Sequence, residues 1–191
     1  DVRLIGYAGG GTRNLIVNKP ITNMDELSGL PMRVMGAPIQ TRIFEAIGAH
    51  PSVIAYDEVY NAIQTGVIDA AENEAAGIEQ MKFYEVGPEI SLTQHAITVR
   101  PLGFANKTFE RLTAEEQQCV LESGKAAGRL GREIESGQDQ AKLDAMEKNG
   151  LLKTHAFTER DKLLMLATPV KQSYAEELGA ADVLQAIEAV K

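Results

Sequence analysis

The first hundred residues alternate short apolar runs with short amphipathic stretches, punctuated by glycine, proline and small polar residues. Residues 4–7 and 15–17 predict strands flanking a turn over 8–12, which holds Gly9, Gly10 and Gly11. Thr22 or Asn23 caps a short helix with Asp25 and Glu26 in its first turn and Gly29 at its end. Residues 32–35 predict a strand, and Pro38 opens a helix with Ile39, Ile43 and Ile47 at four-residue spacing. After the stop at Gly48, residues 52–56 predict a strand and Asp57 caps a helix that runs to Gln64. Residues 67–71 and 74–84 then predict one more strand and one more helix. This order predicts an α/β sheet with parallel elements.

The second half has a different texture. Residues 91–95 and 96–105 predict long strands broken near Pro101. From Thr113 to Asn149 a polar amphipathic pattern runs without proline, with Val120, Ala127, Leu130, Ile134, Ala141 and Ala145 on one stripe. One helix there would be roughly 54 Å long at 1.5 Å per residue. Gly124, Gly128, Gly131 and Gly137 each weaken it by about 1 kcal/mol relative to alanine. They predict either a close neighbour or a break near Gly137. A strand over 151–157 and helices over 158–178 and from Ala181 onward complete the chain.

Composition narrows the classes. With 44% hydrophobic and 24% charged residues, the 191-residue chain reads as folded. Its net charge of −8 argues against a nucleic-acid partner. The single Cys119 excludes an internal disulfide framework and a cysteine-based zinc site. His50, His95 and His155 lie far apart, without HExxH spacing. The glycine run lacks the Lys-Ser or Lys-Thr of a phosphate loop, and no GxSxG elbow occurs. Neither a metal, a cofactor nor a catalytic set is expected. The first residues lack a basic start and an apolar run, which predicts either a cytoplasmic chain or one that begins after processing or truncation.

Two arginines carry the candidate chemistry. Arg33 sits inside an apolar strand, where such a side chain usually turns to solvent on the alternate face. Gly36, Ala37 and Pro38 follow it and open a helix N-terminus, a place that favours anions. Arg13 follows the glycine run. Glu72 and Asn73 follow a strand and precede a helix, where strand ends build ligand crevices.

Gly11-Thr12-Arg13, Asp25-Glu26-Leu27-Ser28-Gly29-Leu30, Met32-Arg33-Val34 and Pro38-Ile39-Gln40 resemble a known pattern. It is that of the substrate-binding subunit of tripartite ATP-independent periplasmic (TRAP) transporters, of the DctP type. The string from Glu58 to Asn73 is similar to the most specific motif of that family, and the likeness continues through residues 81–86, 92–95 and 109–116. The resemblance implies a periplasmic, non-enzymatic, two-lobed α/β binding protein with a long helix spanning both lobes. It implies that Arg33 forks onto a substrate carboxylate, that Arg13 lines the same cleft, that Asn73 supplies an amide and that Tyr56 packs on the ligand. Glu58 and Glu72 match motif positions and read as capping or positioning groups; the role of His95 stays open. The implied partners are a small organic acid and the small and large membrane subunits of the transporter. Family members are longer, so the chain is expected to lack part of the first lobe and to self-associate through uncovered faces. Residues 1–106 are expected to form mainly the second lobe with strands crossing to the first, and 107–191 the long helix and returning helices. The competing readings are an enzyme or a ligand-sensing regulatory domain on a similar scaffold.

Overall fold

The computed structural model describes residues 1–190. Its spine is a pair of long antiparallel strands, β1 (Val2–Val17) and β5 (Glu89–Ala105), paired from Val2 opposite Ala105 to Val17 opposite Glu89 with three register shifts between. The turn expected over 8–12 is absent, because β1 runs straight through it. Gly9 and Gly10 have φ of 109° and 121°, and the register shifts between Gly9 and Thr12. A Cβ on Gly9 would strike the Thr98 carbonyl, so the glycines make an irregularity within a strand. Nor does Pro101 break β5; it pairs with Tyr7. The next strand, β6 (Lys153–Ala156), accompanies β5 only as far as Leu92, which leaves Pro101 on an edge where proline is tolerated.

Around this spine the sheet adds β2 (Pro31–Val34), β3 (His50–Val53) and β4 (Ala70–Asn73), in the order β3-β2-β4-β1-β5-β6. The β2–β3, β2–β4 and β5–β6 pairs are parallel, as the strand–helix alternation predicts. The central β1 is antiparallel to both neighbours, so the sheet is mixed. Alternation along β1 feeds two cores. Leu15 and Val17 face one with Met32, Val34, Phe44 and Leu163, while Ile16 faces the other with Ala71, Ile78, Phe83 and Ile90.

The helices α1 (Met24–Leu27), α2 (Pro38–Ala46), α3 (Val59–Gln64) and α4 (Ala75–Gln80) connect the strands. Boundaries moved where local turns intervene. The strand expected over 52–56 ends at Val53, and Tyr56–Glu58 form a 3₁₀ turn ahead of α3. The helix expected over 74–84 stops at Gln80, before Lys82 takes a left-handed φ of 53°.

A short α5 (Asn106–Phe109) leads into α6 (Ala114–Lys148), an unbroken helix of 35 residues. Thr113 and Glu116 form a reciprocal capping box at its start. Three of its glycines meet β1: Gly124 faces Ile5, Gly128 faces Tyr7 and Gly131 faces Ala8. Gly137 faces open space, and no break occurs there. The far end of α6 buries Leu143 and Met146 in the main core, so the helix spans the sheet body and the two-stranded outer ribbon. On that ribbon Val2, Leu4, Ile97 and Val99 are exposed. α7 (Arg160–Glu177) and α8 (Ala181–Glu188) finish the chain.

The α6–β1 contact separates the glycines experimentally. A Cβ at Gly124 would lie 2.6 Å from the Ile5 carbonyl oxygen, whereas one at Gly137 would meet nothing. Gly124→Ala is expected to lower the unfolding midpoint, and Gly137→Ala to add about 1 kcal/mol of stability, in urea unfolding followed by circular dichroism.

Candidate functional site

The C-terminal ends of β2 and β4 and the segment after β3 converge on an open recess of about 330 Å³. Arg13, Arg33, Tyr56 and Asn73 all line it, together with Met35, Glu74, Gln80 and Arg100. Arg33, the last residue but one of β2, is only 5% exposed and does not turn to bulk solvent. Its Nε donates to the Ile54 carbonyl at 2.9 Å, and its guanidinium lies 5.6 Å from the centre of the Tyr56 ring. Among the described residues its Nη1 and Nη2 have no hydrogen-bond acceptor, which leaves four N–H bonds at the recess. Burial lowers its pKa; Glu72 opposes that shift and Arg13 reinforces it.

Arg13 is in a different state. Its five N–H bonds are all engaged: Nε with Glu72 at 2.5 Å, Nη1 with Glu74 at 2.8 Å and Thr98 at 3.1 Å, and Nη2 with the Glu72 carboxylate at 2.9 Å and carbonyl at 3.1 Å. Burial pushes its pKa down, but the hydrogen bond and charge of Glu72 and the charge of Glu74 outweigh this and leave it raised. Glu72 is 1% exposed. Burial pushes its pKa up, and the hydrogen bonds from His95 and Arg13 more than reverse that, so it stays low. His95, 3.3 Å from Glu72, uses its other ring nitrogen on Thr93.

Asn73, the last residue of β4, is tied to Tyr56. Its Oδ1 accepts the Glu74 backbone N–H at 3.0 Å, so its Nδ2 faces the Tyr56 hydroxyl at 2.8 Å. The tyrosine oxygen thus accepts from Asn73, and its own O–H has no acceptor among the described residues. The ring stands edge-on to Phe83. Glu58 is exposed and makes no side-chain cap. The helix start at Gly36, Ala37 and Pro38 does not line the Arg33 recess; it borders a neighbouring groove with Thr41, Arg42 and Val53.

Sequence reading passed over Glu74 and Arg100. Buried Glu74 takes Arg13 and Thr98 on Oε2 and Arg100 on Oε1, the last at 2.5 Å. Arg100 also reaches Glu135 on α6 at 3.2 Å. The available signal was spacing: Glu72 and Glu74, like Thr98 and Arg100, are two residues apart and face the same way on extended chain.

The strand ends of a mixed sheet thus surround one guanidinium with unpaired N–H bonds. The match of residues 1–177 to the model for bacterial extracellular solute-binding protein, family 7 (DctP), places the chain in that family. It is 54% identical over 189 residues to a solute-binding protein of Sulfitobacter sp. strain NAS-14.1, covering 99% of this chain and 57% of that protein. A crystal structure of a TRAP periplasmic solute-binding protein from the same strain, with bound α-D-taluronate, matches at TM-score 0.96 and 54% identity over 98% of this chain and 61% of that one. A Roseobacter denitrificans homologue with bound β-D-glucuronate matches at TM-score 0.90 and 26% identity, covering 100% and 63%. The C4-dicarboxylate-binding periplasmic protein of Rhodobacter capsulatus is 30% identical over 94% of this chain and 54% of its own length. The chain therefore spans somewhat under two thirds of these relatives. Among the described residues no helix is long and apolar enough to cross a membrane.

The Glu72 carboxylate is the testable keystone. Removing one partner of a buried pair costs about 3–5 kcal/mol, so Glu72→Gln is expected to destabilise the fold by that amount at pH 7. Because the folded-state pKa is lowered, this stability is present above the unfolded value of about 4.3 and is lost as pH falls through the folded value. The difference between wild type and variant should shrink below pH 4 in urea titrations.

Proposed function

We propose that the chain is the ligand-gripping part of an extracytoplasmic solute-binding protein that captures a small organic acid, a hexuronate-like sugar acid, and delivers it to the membrane subunits of a TRAP transporter without chemical change. One observation carries the reading: Arg33 is nearly buried at the strand ends, yet presents four unpaired N–H bonds to the recess. Such a fork matches the two oxygens of a carboxylate. The Tyr56 O–H and the remaining Asn73 Nδ2–H add donors beside it. Arg13 supports the anion through its charge, its own donors being spent on Glu72 and Glu74. The uronates held by the Sulfitobacter and Roseobacter relatives fit this donor set. On this reading residues 1–106 carry the ligand contacts, and residues 107–191 brace them through α6.

Isothermal titration of the full-length protein with D-glucuronate tests the assignment. Loss of a charge-assisted pair in a binding site costs about 2–5 kcal/mol, so Arg33→Ala should weaken binding by about thirtyfold or more with the circular dichroism spectrum unchanged. Unaltered affinity would remove Arg33 from the site. Residues 1–191 alone are expected to self-associate through the exposed apolar outer ribbon, as a second species in sedimentation velocity; a strictly monomeric chain at micromolar concentration would refute this.

A further inference from the structure

We propose that Glu74, with Arg100 as its cover, selects the ligand: its carboxylate accepts a ligand hydroxyl and repels a second carboxylate, so the site prefers hydroxylated monocarboxylates over dicarboxylates. This rests on the organic-acid reading of the same recess and deepens it.

The donor side of the recess consists of Arg33, Tyr56 and Asn73, whose unspent groups include the Arg33 Nη N–H bonds, the Tyr56 O–H and one Asn73 N–H. That set satisfies one carboxylate. Glu74 supplies the opposite character. It is 3% exposed, it lines the recess, and its Oε2 is filled by Arg13 and Thr98. Its Oε1 receives a single bond, from Arg100, and a carboxylate oxygen has room for another. The Arg100 side chain is 47% exposed, lines the recess beside Glu74 and divides its donors between Oε1 and Glu135. A sugar hydroxyl can donate to Oε1 beside Arg100 or in its place. An unsubstituted dicarboxylate has no proton to give there.

Charge counting points the same way. Arg13 and Arg100 are committed to Glu72, Glu74 and Glu135, whereas Arg33 has no ion pair among the described residues. One incoming carboxylate takes the unpaired face of Arg33. A second anionic group finds no further uncommitted guanidinium, and it meets Glu74 in a setting where burial keeps the repulsion from being screened. The acceptor therefore acts as an attraction for polyols and a barrier to dianions.

Titration calorimetry with D-glucuronate and succinate on the full-length protein provides the test. Wild type is expected to bind D-glucuronate at least tenfold more tightly than succinate. Glu74→Gln should narrow that ratio at least tenfold, weakening D-glucuronate while leaving succinate unchanged or strengthened. Arg100→Ala uncovers the carboxylate and should widen the ratio; it also decides the matter if Glu74→Gln does not fold. Equal weakening of both ligands by Glu74→Gln, a narrowed ratio in Arg100→Ala, or wild-type preference for succinate would each overturn the proposal while leaving the organic-acid reading intact. Binding of neither acid by wild type would overturn both.

Discussion

A guanidinium cut off from water on every side is costly inside a protein unless its N–H bonds are satisfied and its charge is balanced. Arg13 meets that condition by linking three strands of the sheet. It stands on β1, its bidentate partner Glu72 on β4, Glu74 just beyond β4, and Thr98 on β5. Those strands must therefore keep their register around one charged centre. The recess is built on the same centre, since Glu74 and Asn73 follow Glu72 directly and Arg33 approaches from the next strand over. Two arginines twenty residues apart in sequence thus do opposite work. One is consumed in holding the walls, and its saturation leaves the other as the uncommitted fork.

Much of this was legible in the amino-acid pattern. The long helix was readable because its stripe, its missing prolines and the Thr113–Glu116 pair all point one way, and its glycines did mark a close neighbour at three of four positions. The strand–helix alternation between residues 31 and 80 gave the parallel pairs. The failure at Gly9 to Gly11 has a plain cause. Three glycines signal a turn by propensity, and only the facing Thr98 carbonyl, about ninety residues away in sequence, shows that the chain needed to be thin there. Pro101 misled for a similar reason, because whether a strand is an edge depends on where β6 stops.

The site divided along the same line. Arg13, Arg33, Tyr56 and Asn73 could be named from local context and family likeness, and the structure gathers them around one recess. What sequence could not show was the state of each guanidinium. Donor saturation is a matter of partners such as Glu74 and Thr98, which lie 61 and 85 positions from Arg13. Arg100 was out of reach for the same reason, being tied to the recess only by a contact with Glu74 and one with α6.

The glycine contact between α6 and β1 sets how this molecule can change over time. At Gly124, Gly128 and Gly131 the helix rides on the strand with no room for a side chain, so the joint has few neighbouring sequences that still fit. The rim of the recess is under no such restriction. Met35, Gln80 and the half-exposed Arg100 line the cavity and can be exchanged without moving that joint. A scaffold whose seam admits no side chain and whose mouth is free to vary can reshape that mouth by single substitutions while its frame stays as it is.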